Sequence, residues 1–432
     1  MEDKIIKLYD GIELHLMNTN KFKTNYIVIN LITDLSREDV TKNSLIALVN
    51  RRGTVKYPTM GDISIKLEEM YGSSLDANTD KIGDNQIIQF SMDSISDEYT
   101  LENNNLLEAS IDMIKEIMLC PILENGVYKK EYVDQEKETL REIIESKIND
   151  KSAYALDRAT EEMYKGEVYG IYKYGYVEDL DTITPEELYK QYQTLLATST
   201  IYVYVSGNLN EEKVIRLFKE MFSNVKRDYK NDFELNKYNK IVNIVKDENL
   251  EEVASKREVL ESQDVTQGKL VLGCVLQNAS LKDDFYKMQV YSAILGGTAS
   301  SKLFNNVREK KSLAYTIGSQ YIKHKGIVLI RAGIELNNYR IARKYILREL
   351  NDMKNGEITD IELHDAKVNL ETRFKSFNDS QGALIGWAIG QELLGGDVDL
   401  GTVISKINEV TKEDVIEVAS RLKLDMVYYL KD

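Results

Sequence analysis

The segment most able to do chemistry carries an arginine and a tyrosine seven residues apart, behind a pair of glycines. These residues are Arg308 and Tyr315, and the glycines are Gly296 and Gly297. A guanidinium and a phenol are hydrogen-bond donors, and in a water-poor cavity such donors stabilise a negative charge that develops during a reaction. An exposed arginine after an amphipathic helix and a half-buried strand tyrosine would leave the same pattern. A substrate-contacting pair is therefore one of two open interpretations.

Histidine is too scarce in this chain to build a zinc site from a local motif. No two of the three histidines lie close together in the sequence: His15, His324 and His364. Zinc sites made by histidine commonly use two of them one helical turn apart. We therefore expect ordinary roles for all three side chains and no histidine metal site in this chain.

The elements that must position the Arg308 segment occur twice along the chain. Residues 148–150 and 377–379 are similar and offset by 229 (378 − 149). Thr184 and Thr411, offset by 227 (411 − 184), each open a helix, and a tyrosine- and valine-rich strand follows each helix. The motif at Thr184 has the pattern of a capping box with proline at the first helical position. One such match means little, but three in the same order indicate a duplication.

Length and element order predict the fold class. A chain of 432 residues exceeds what one core usually organises, so we expect two homologous domains. Their predicted bounds are residues 1–224 and 246–432, joined by a charged linker over 225–245. Strands mix with helices without strict alternation, which favours an α+β class. Each domain is predicted to be a mostly antiparallel sheet covered by helices.

The composition restricts the partners and the compartment. Asp and Glu total 71 against 56 Lys and Arg, and the formal charge of −15 argues against nucleic acid as a partner. The apolar runs are far shorter than the roughly 20 residues that span a bilayer, and the first residues do not resemble a secretory signal. Cys120 and Cys274 are expected to be buried and reduced. We therefore expect a folded, cytoplasmic protein without membrane contact.

Residues 303–315 resemble the second-domain signature of the pitrilysin/insulinase family of zinc peptidases, which includes the mitochondrial processing peptidases. The family's arginine and tyrosine have the same spacing as Arg308 and Tyr315. The resemblance implies a processing-peptidase-like fold whose two domains form half of a clam-shell chamber. It also implies that Arg308 and Tyr315 reach across the chamber to a peptide held at a zinc site.

The family's zinc motif, His-x-x-Glu-His, lies on a first-domain helix that ends before a Gly-Thr pair, and Gly53 and Thr54 match that pair. Counting back places Ser44, Ala47 and Leu48 where the two histidines and the glutamate belong. None of these side chains binds zinc or activates water in the family's way. Glu142 is the best match to the family's third ligand. The resemblance thus implies no zinc in this chain and a zinc-bearing homologous subunit as its partner.

A peptide-binding segment of the first domain is similar to the family as well. Residues 72–79 resemble the family's Gly-Gly-x-x-Asn-Ala-x-Thr, which leads into an edge strand that pairs with substrate. The resemblance places Gly72, Asp76 and Ala77 at the substrate, together with Gly296 and Gly297. A plain turn that enters a strand is an equally good interpretation of residues 71–74.

The sequence therefore predicts a zinc-free subunit of a heterodimeric zinc peptidase, which contributes Arg308 and Tyr315 to a partner's zinc site. The chain resembles the bacterial members that occur as two chains. Residues 21–24, 51–54 and 67–72 are similar to the insulinase-like proteins named for association with elongation factor P modification. The alternative is an inactive homodimeric scaffold or peptide-binding module of the same fold. A peptidase that uses unrelated residues is a third hypothesis.

Overall fold

Two β-sheets with helices packed against them make up this computed structural model. It describes residues 3–101, 105–230 and 257–432. Contacts divide these residues into two compact units, 3–146 with 171–230, and 147–170 with 257–432. The predicted domain borders stay predictions, and residues 231–245 of the predicted linker lie outside the described residues. The α+β class with mostly antiparallel sheets is confirmed.

The sheet of the first unit has six strands in the order β1-β2-β8-β3-β5-β4. All neighbours pair antiparallel except β2 and β8, which are parallel. A short hairpin of β6 and β7 lies outside this sheet. The strands are β1 (Asp3–Tyr9), β2 (Ile12–Asn18), β3 (Thr24–Asp34), β4 (Ser74–Ile82), β5 (Asn85–Ile95), β6 (Leu123–Glu124), β7 (Val127–Tyr128) and β8 (Thr200–Gly207).

Helices pack their apolar residues on this sheet and form one continuous core with it. Helix α7 begins with the predicted capping box, because Thr184 Oγ1 accepts the Glu187 N–H (3.2 Å) and Glu187 Oε2 accepts the Thr184 N–H (3.0 Å). The first eight helices of the chain are α1 (Val40–Asn50), α2 (Met60–Glu69), α3 (Leu106–Leu119), α4 (Lys130–Ser146), α5 (Lys151–Met163), α6 (Val177–Leu180), α7 (Pro185–Thr198) and α8 (Glu211–Phe222).

The sheet of the second unit has five strands in the order β11-β12-β10-β13-β9, and only β9 and β13 are parallel. Its strands are β9 (Glu258–Ser262), β10 (Gly268–Leu276), β11 (Ala314–Ile322), β12 (Ile327–Ile334) and β13 (Leu422–Lys431). The helices of this part of the chain are α9 (Phe285–Ser292), α10 (Tyr339–Lys354), α11 (Asp360–Ser376), α12 (Gln381–Glu392), α13 (Leu400–Glu409) and α14 (Lys412–Arg421).

The two units have the same strand arrangement, as the duplicated sequence predicted. Read from the free edge, β4-β5-β3-β8-β2 corresponds to β11-β12-β10-β13-β9. The predicted capping box at Thr411 is present too, with Asp414 as its acidic member. The two halves differ by one residue at one helix start. The N-cap of α5 is Asp150 and that of α12 is Ser380, whereas the repeat in the sequence pairs Asp150 with Asp379.

Helix α5 belongs to the second unit although its sequence lies within the first half of the chain. Its small residues Ala155 and Ala159 pack on one face of the second sheet, and α9–α14 cover the opposite face. Gly273 of β10 permits this approach, because a Cβ there would lie 2.8 Å from Met163 Sδ. Among the residues described, no helix has the length and apolarity that crossing a membrane requires.

Candidate functional site

The glycine pair shapes the start of the Arg308 segment. Residues 293–297 form a wide helical turn after α9 that packs on β11. Gly296 is buried, and a Cβ there would lie 2.6 Å from the Ser319 backbone nitrogen, so only glycine fits. Gly297 is exposed. Close packing against the strand accounts for Gly296, while contact of either glycine with substrate stays a prediction.

Buried polar contacts anchor the segment between the glycines and Arg308. Lys302, almost fully buried, forms an ion pair with Glu362 of α11 (2.9 Å). Asn306 donates to the buried carboxylate of Glu349 on α10 (2.8 Å), and burial raises the pKa of Glu349. A charge or amide buried in this way is held firmly by its partner. The helical turn that carries Arg308 is therefore fixed to two neighbouring helices.

The chain then turns from this helix into the edge strand through three backbone bonds. The Lys310 N–H donates to Asn305 O (2.9 Å), a five-residue step that is typical of a widened helical turn. The Ser312 and Leu313 N–H groups donate to Arg308 O and Val307 O, both at 3.0 Å. Ser312 has φ +53°, in the left-handed region. This turn defines the path from Arg308 to Tyr315.

Both members of the predicted pair are exposed. The Arg308 side chain is 42% exposed, with its guanidinium carbon 4.6 Å from the Phe304 ring centroid and its Nε 3.6 Å from Glu309 Oε1. Tyr315 is 56% exposed and occupies a bulge, since Ala314 and Thr316 pair with consecutive residues of β12. Its hydroxyl donates to Glu335 Oε1 (2.9 Å), which raises the pKa of Tyr315. Both side chains are accessible to a ligand, and the phenol is kept protonated.

The position of the family's first zinc ligand is filled by a buried polar network. Ser44 Oγ donates to Val40 O (3.0 Å) and lies 3.2 Å from Lys173 O. The amide nitrogen of Gln86 donates to the same two carbonyls, at 3.0 and 2.9 Å, and lies 3.3 Å from Ser44 Oγ. Ser44 and Gln86 are both buried. These donors and acceptors satisfy each other and hold the helix to the loop at Lys173.

The other positions of the zinc motif are no better suited to a metal. Ala47 is buried in the core, and Leu48 packs against it. Glu142 is exposed on α4, whereas Glu136 of the same helix is buried beside Arg52 Nε (3.2 Å), and burial raises the pKa of Glu136. Within the described ranges no three His, Cys, Asp or Glu side chains could share a metal ion. The residues present do not fit zinc.

Strand β4 lies at the edge of its sheet, where the family resemblance places a substrate peptide. Ile82 and Asn85 flank a two-residue hairpin turn and exchange hydrogen bonds. Every second residue of β4, counted from Ile82, therefore pairs with β5, and the residues between them point their backbone groups to the free edge. The residues with outward-pointing backbone groups are Leu75, Ala77, Thr79 and Lys81. Gly72, which enters the strand, is exposed with φ +70°. The edge offers backbone partners for an extended chain.

Arg51, the residue that follows α1, occupies the middle of this edge. Arg51 Nη1 lies 2.5 Å from Asp76 Oδ1 and 3.3 Å from Ala77 O. The Ala77 side chain is buried in the core with α1, and the Asp76 side chain points to the opposite, exposed face. The guanidinium must therefore pass around the free edge of the sheet to contact both.

Sequence reasoning missed Gln86, Arg51 and Glu335. Each contacts a residue far away in the chain, and no local pattern predicts that contact. The arrangement defines a peptidase-like scaffold without a metal site in its described residues, which presents an arginine and a tyrosine on one unit and a free strand edge on the other.

Known proteins share this architecture. Residues 182–370 match the family model described as the Peptidase M16 inactive domain. YmfF of Bacillus subtilis (strain 168), a probable inactive metalloprotease, is 29% identical over 423 residues, 98% of this chain and 96% of its own. The crystal structure of a conserved protein from Enterococcus faecalis V583 has a TM-score of 0.87 at 28% identity and covers 99% of this chain and 98% of its own.

A shorter match is to the mitochondrial-processing peptidase subunit beta of Dictyostelium discoideum, 25% identical over 178 residues, 40% of this chain and 34% of that protein. Over residues 182–370 the chain is similar to the inactive domain of the M16 peptidases, and over nearly its whole length it is similar to a probable inactive metalloprotease. The predicted resemblance to the inactive type of the pitrilysin/insulinase family is confirmed.

Proposed function

We propose that the chain is the zinc-free subunit of a heterodimeric zinc peptidase, contributing Arg308 and Tyr315 to a partner's active site. The observation that carries this proposal is a contrast within the chain. Arg308 and Tyr315 are exposed on a segment fixed by buried contacts, whereas Ser44, Ala47 and Leu48 are committed to packing. Exposed functional groups on a rigid support favour a role toward a ligand over a role in stability.

The chemistry of the pair follows from its donors. Zinc in the partner would activate the attacking water and polarise the peptide carbonyl. Arg308 has guanidinium N–H groups on the solvent side, which would bind the developing oxyanion or a neighbouring carbonyl. The Tyr315 hydroxyl donates to Glu335 in the free chain, so it would have to turn from that carboxylate to reach a substrate.

The peptide itself would extend along a strand edge. Leu75, Ala77 and Thr79 direct their backbone groups away from β5, and pairing with these groups recognises an extended peptide with little demand on its sequence. The substrate-binding roles of Gly72, Asp76 and Ala77 belong to this proposal. The similarity to a processing-peptidase subunit beta supports assembly with a homologous second subunit.

Reconstitution with a zinc-bearing relative that carries His-x-x-Glu-His tests the proposal. The pair should cleave an unfolded peptide that neither chain cleaves alone. Arg308→Ala or Tyr315→Phe should lower kcat by about 10²–10³, the usual cost of losing an oxyanion donor. Matched exposed controls, Arg373→Ala and Tyr99→Phe, should leave the rate unchanged. Equal activity of the Arg308, Tyr315 and control variants would refute the role.

An inactive homodimeric scaffold or peptide-binding module is the second candidate. The engagement of the Tyr315 hydroxyl by Glu335 favours it, because a donor already in use is not free for an oxyanion. Size on a calibrated column, with and without the zinc-bearing relative, separates the two functions. A stable homodimer that ignores the relative would support the scaffold, and a mixed dimer would support the peptidase subunit.

A further inference from the structure

A group of cations beside the Arg308 segment has no acidic partner, although the chain carries more acids than bases. Asp and Glu outnumber Lys and Arg by 71 to 56. Many basic side chains elsewhere pair with carboxylates, for example Lys56 with Asp112 (2.7 Å) and Arg37 with Asp179 (2.6 Å). Within residues 3–101, 105–230 and 257–432, the exposed cations of the second unit that form no ion pair include Lys310, Lys311, Arg340 and Lys344.

Arg308 and Arg348 are also exposed, and they extend this group into one surface. Arg340, Lys344 and Arg348 follow each other at intervals of four on α10, so they form a stripe along one side of the helix. Lys311 Nζ lies 5.3 Å from the ring centroid of Tyr345, which is next to that stripe. We call the following set the basic surface: Arg308, Lys310, Lys311, Arg340, Lys344 and Arg348.

The neighbouring carboxylates do not neutralise the basic surface. Glu309 and Asp352 each contact one arginine at 3.6 Å, Arg308 and Arg348 respectively. Glu349 is buried and bonded to Asn306. The six exposed cations outnumber the carboxylates of Glu309, Asp352 and Glu335, the last of which already accepts the Tyr315 hydroxyl, and this leaves a local positive charge on a protein whose formal charge is −15.

The placement of these cations on α10 also works against helix stability. Basic residues occupy the first turns of α10 and its first turn holds no acid, whereas α11 and α14 begin with Asp and Glu. The positive end of a helix dipole disfavours nearby cations. A charge pattern that opposes helix formation at the start of α10 points to a use outside the fold.

We propose that the basic surface binds acidic side chains of a peptide held at Arg308 and Tyr315. This inference rests on the proposed peptide-binding function and adds a substrate class to it, extended peptides rich in Asp and Glu next to the segment that Arg308 contacts. Arginine and lysine bind carboxylates by charge-assisted hydrogen bonds. The half-exposed Ile341 lies within the stripe and would contact apolar parts of such a peptide.

A peptide fits better than a nucleic acid. The surface interrupts an otherwise acidic molecule, and the field of that molecule repels a long polyanion more strongly than a short acidic segment. The free edge of β11, the strand that carries Tyr315 as its second residue, offers backbone hydrogen-bond partners to an extended peptide, and nucleic acid does not pair with such an edge.

Fluorescence anisotropy on the full chain, without any zinc subunit, tests the inference. The probes are a labelled glutamate-rich peptide, a lysine-rich and a Gly-Ser peptide of the same length, a single-stranded RNA and anionic vesicles. Wild type should bind the glutamate-rich peptide most tightly, with an affinity that falls as salt rises. Lys344→Glu combined with Arg348→Glu should weaken this binding roughly tenfold or more.

A matched double reversal, Lys282→Glu with Arg373→Glu, changes the net charge equally at exposed sites outside the basic surface and should have little effect. Thermal melting of both doubles checks that they fold. Equal losses in the two doubles, no preference of wild type for the acidic peptide, or tighter binding of RNA or vesicles would each overturn the proposal. Because no zinc subunit is present, these outcomes stay separate from failure of the reconstituted peptidase.

Discussion

Replacement of Gln86 by leucine should destabilise the first unit, because the Gln86 side chain completes the network at the lost zinc motif. Its amide nitrogen donates to Val40 O and Lys173 O, at 3.0 and 2.9 Å, and lies 3.3 Å from Ser44 Oγ, and its oxygen accepts from Asn43 Nδ2 at 2.9 Å. The side chain is fully buried. Leucine has nearly the same volume, so Gln86→Leu removes hydrogen bonds without opening a large cavity.

The expected loss of stability depends on which buried groups lose their hydrogen-bond partner. In the variant, the Ser44 hydroxyl still lies within hydrogen-bond distance of Val40 O and Lys173 O. The buried Asn43 Nδ2, by contrast, loses the acceptor that Gln86 supplied. A buried group left without its partner costs about 1–3 kcal/mol, and each remaining bond contributes about 1 kcal/mol net. We therefore expect the free energy of unfolding of the first unit to fall by about 3 kcal/mol.

Urea unfolding followed by circular dichroism measures this loss, with separate transitions fitted for the two units, since a two-unit chain need not unfold in one step. Gln193→Leu, at an exposed position on α7, is the control and should change stability by less than about 0.5 kcal/mol. If Gln86→Leu is as mild as this control, the network does not hold the site and the structural explanation for the lost zinc motif is wrong.

Two further predictions concern the strand edge and a buried lysine. Arg51→Met should raise the affinity of the first unit for an extended unfolded peptide several-fold, because the guanidinium no longer competes for Ala77 O; weaker binding by this variant would contradict the edge geometry. Burial lowers the pKa of Lys323 to about 7, so the unfolded chain binds the proton more tightly between that value and about 10.4. Wild-type stability should therefore rise relative to Lys323→Met between pH 7 and pH 10, by at most roughly 1.4 kcal/mol per pH unit in urea titrations. A difference independent of pH would show that Lys323 stays charged in the folded chain.

Much of the fold was predictable because its signals are local. The capping boxes at Thr184 and Thr411 lie where the sequence placed them, since a cap joins groups three residues apart. The duplicated strand order also agrees with the repeat. The assignment of α5 had no such signal, because its small and apolar face fits any sheet of similar shape, and only packing on β10 and β13 selects the second sheet.

The candidate site, too, could be predicted only in part. The types and spacing of Arg308 and Tyr315, and the missing ligands at Ser44, Ala47 and Leu48, follow from the residues and the family they resemble. The hydrogen bond from Tyr315 to Glu335 spans 20 residues, and the bond from Ser44 to the Lys173 carbonyl spans 129. Neither partner belongs to a pattern along the chain.

The residue types and short-range spacing thus predict the family resemblance, the fold class and the inability of this chain to hold zinc by the family's motif, because side-chain chemistry and helix caps act locally. Tertiary packing determines which residues are buried and which are exposed to solvent. It buries Gly296 against β11, leaves Arg308 exposed, and brings Lys311 beside α10 to complete the basic surface. These outcomes depend on contacts between elements distant in the chain, and burial and charge at the site arise only when those elements meet.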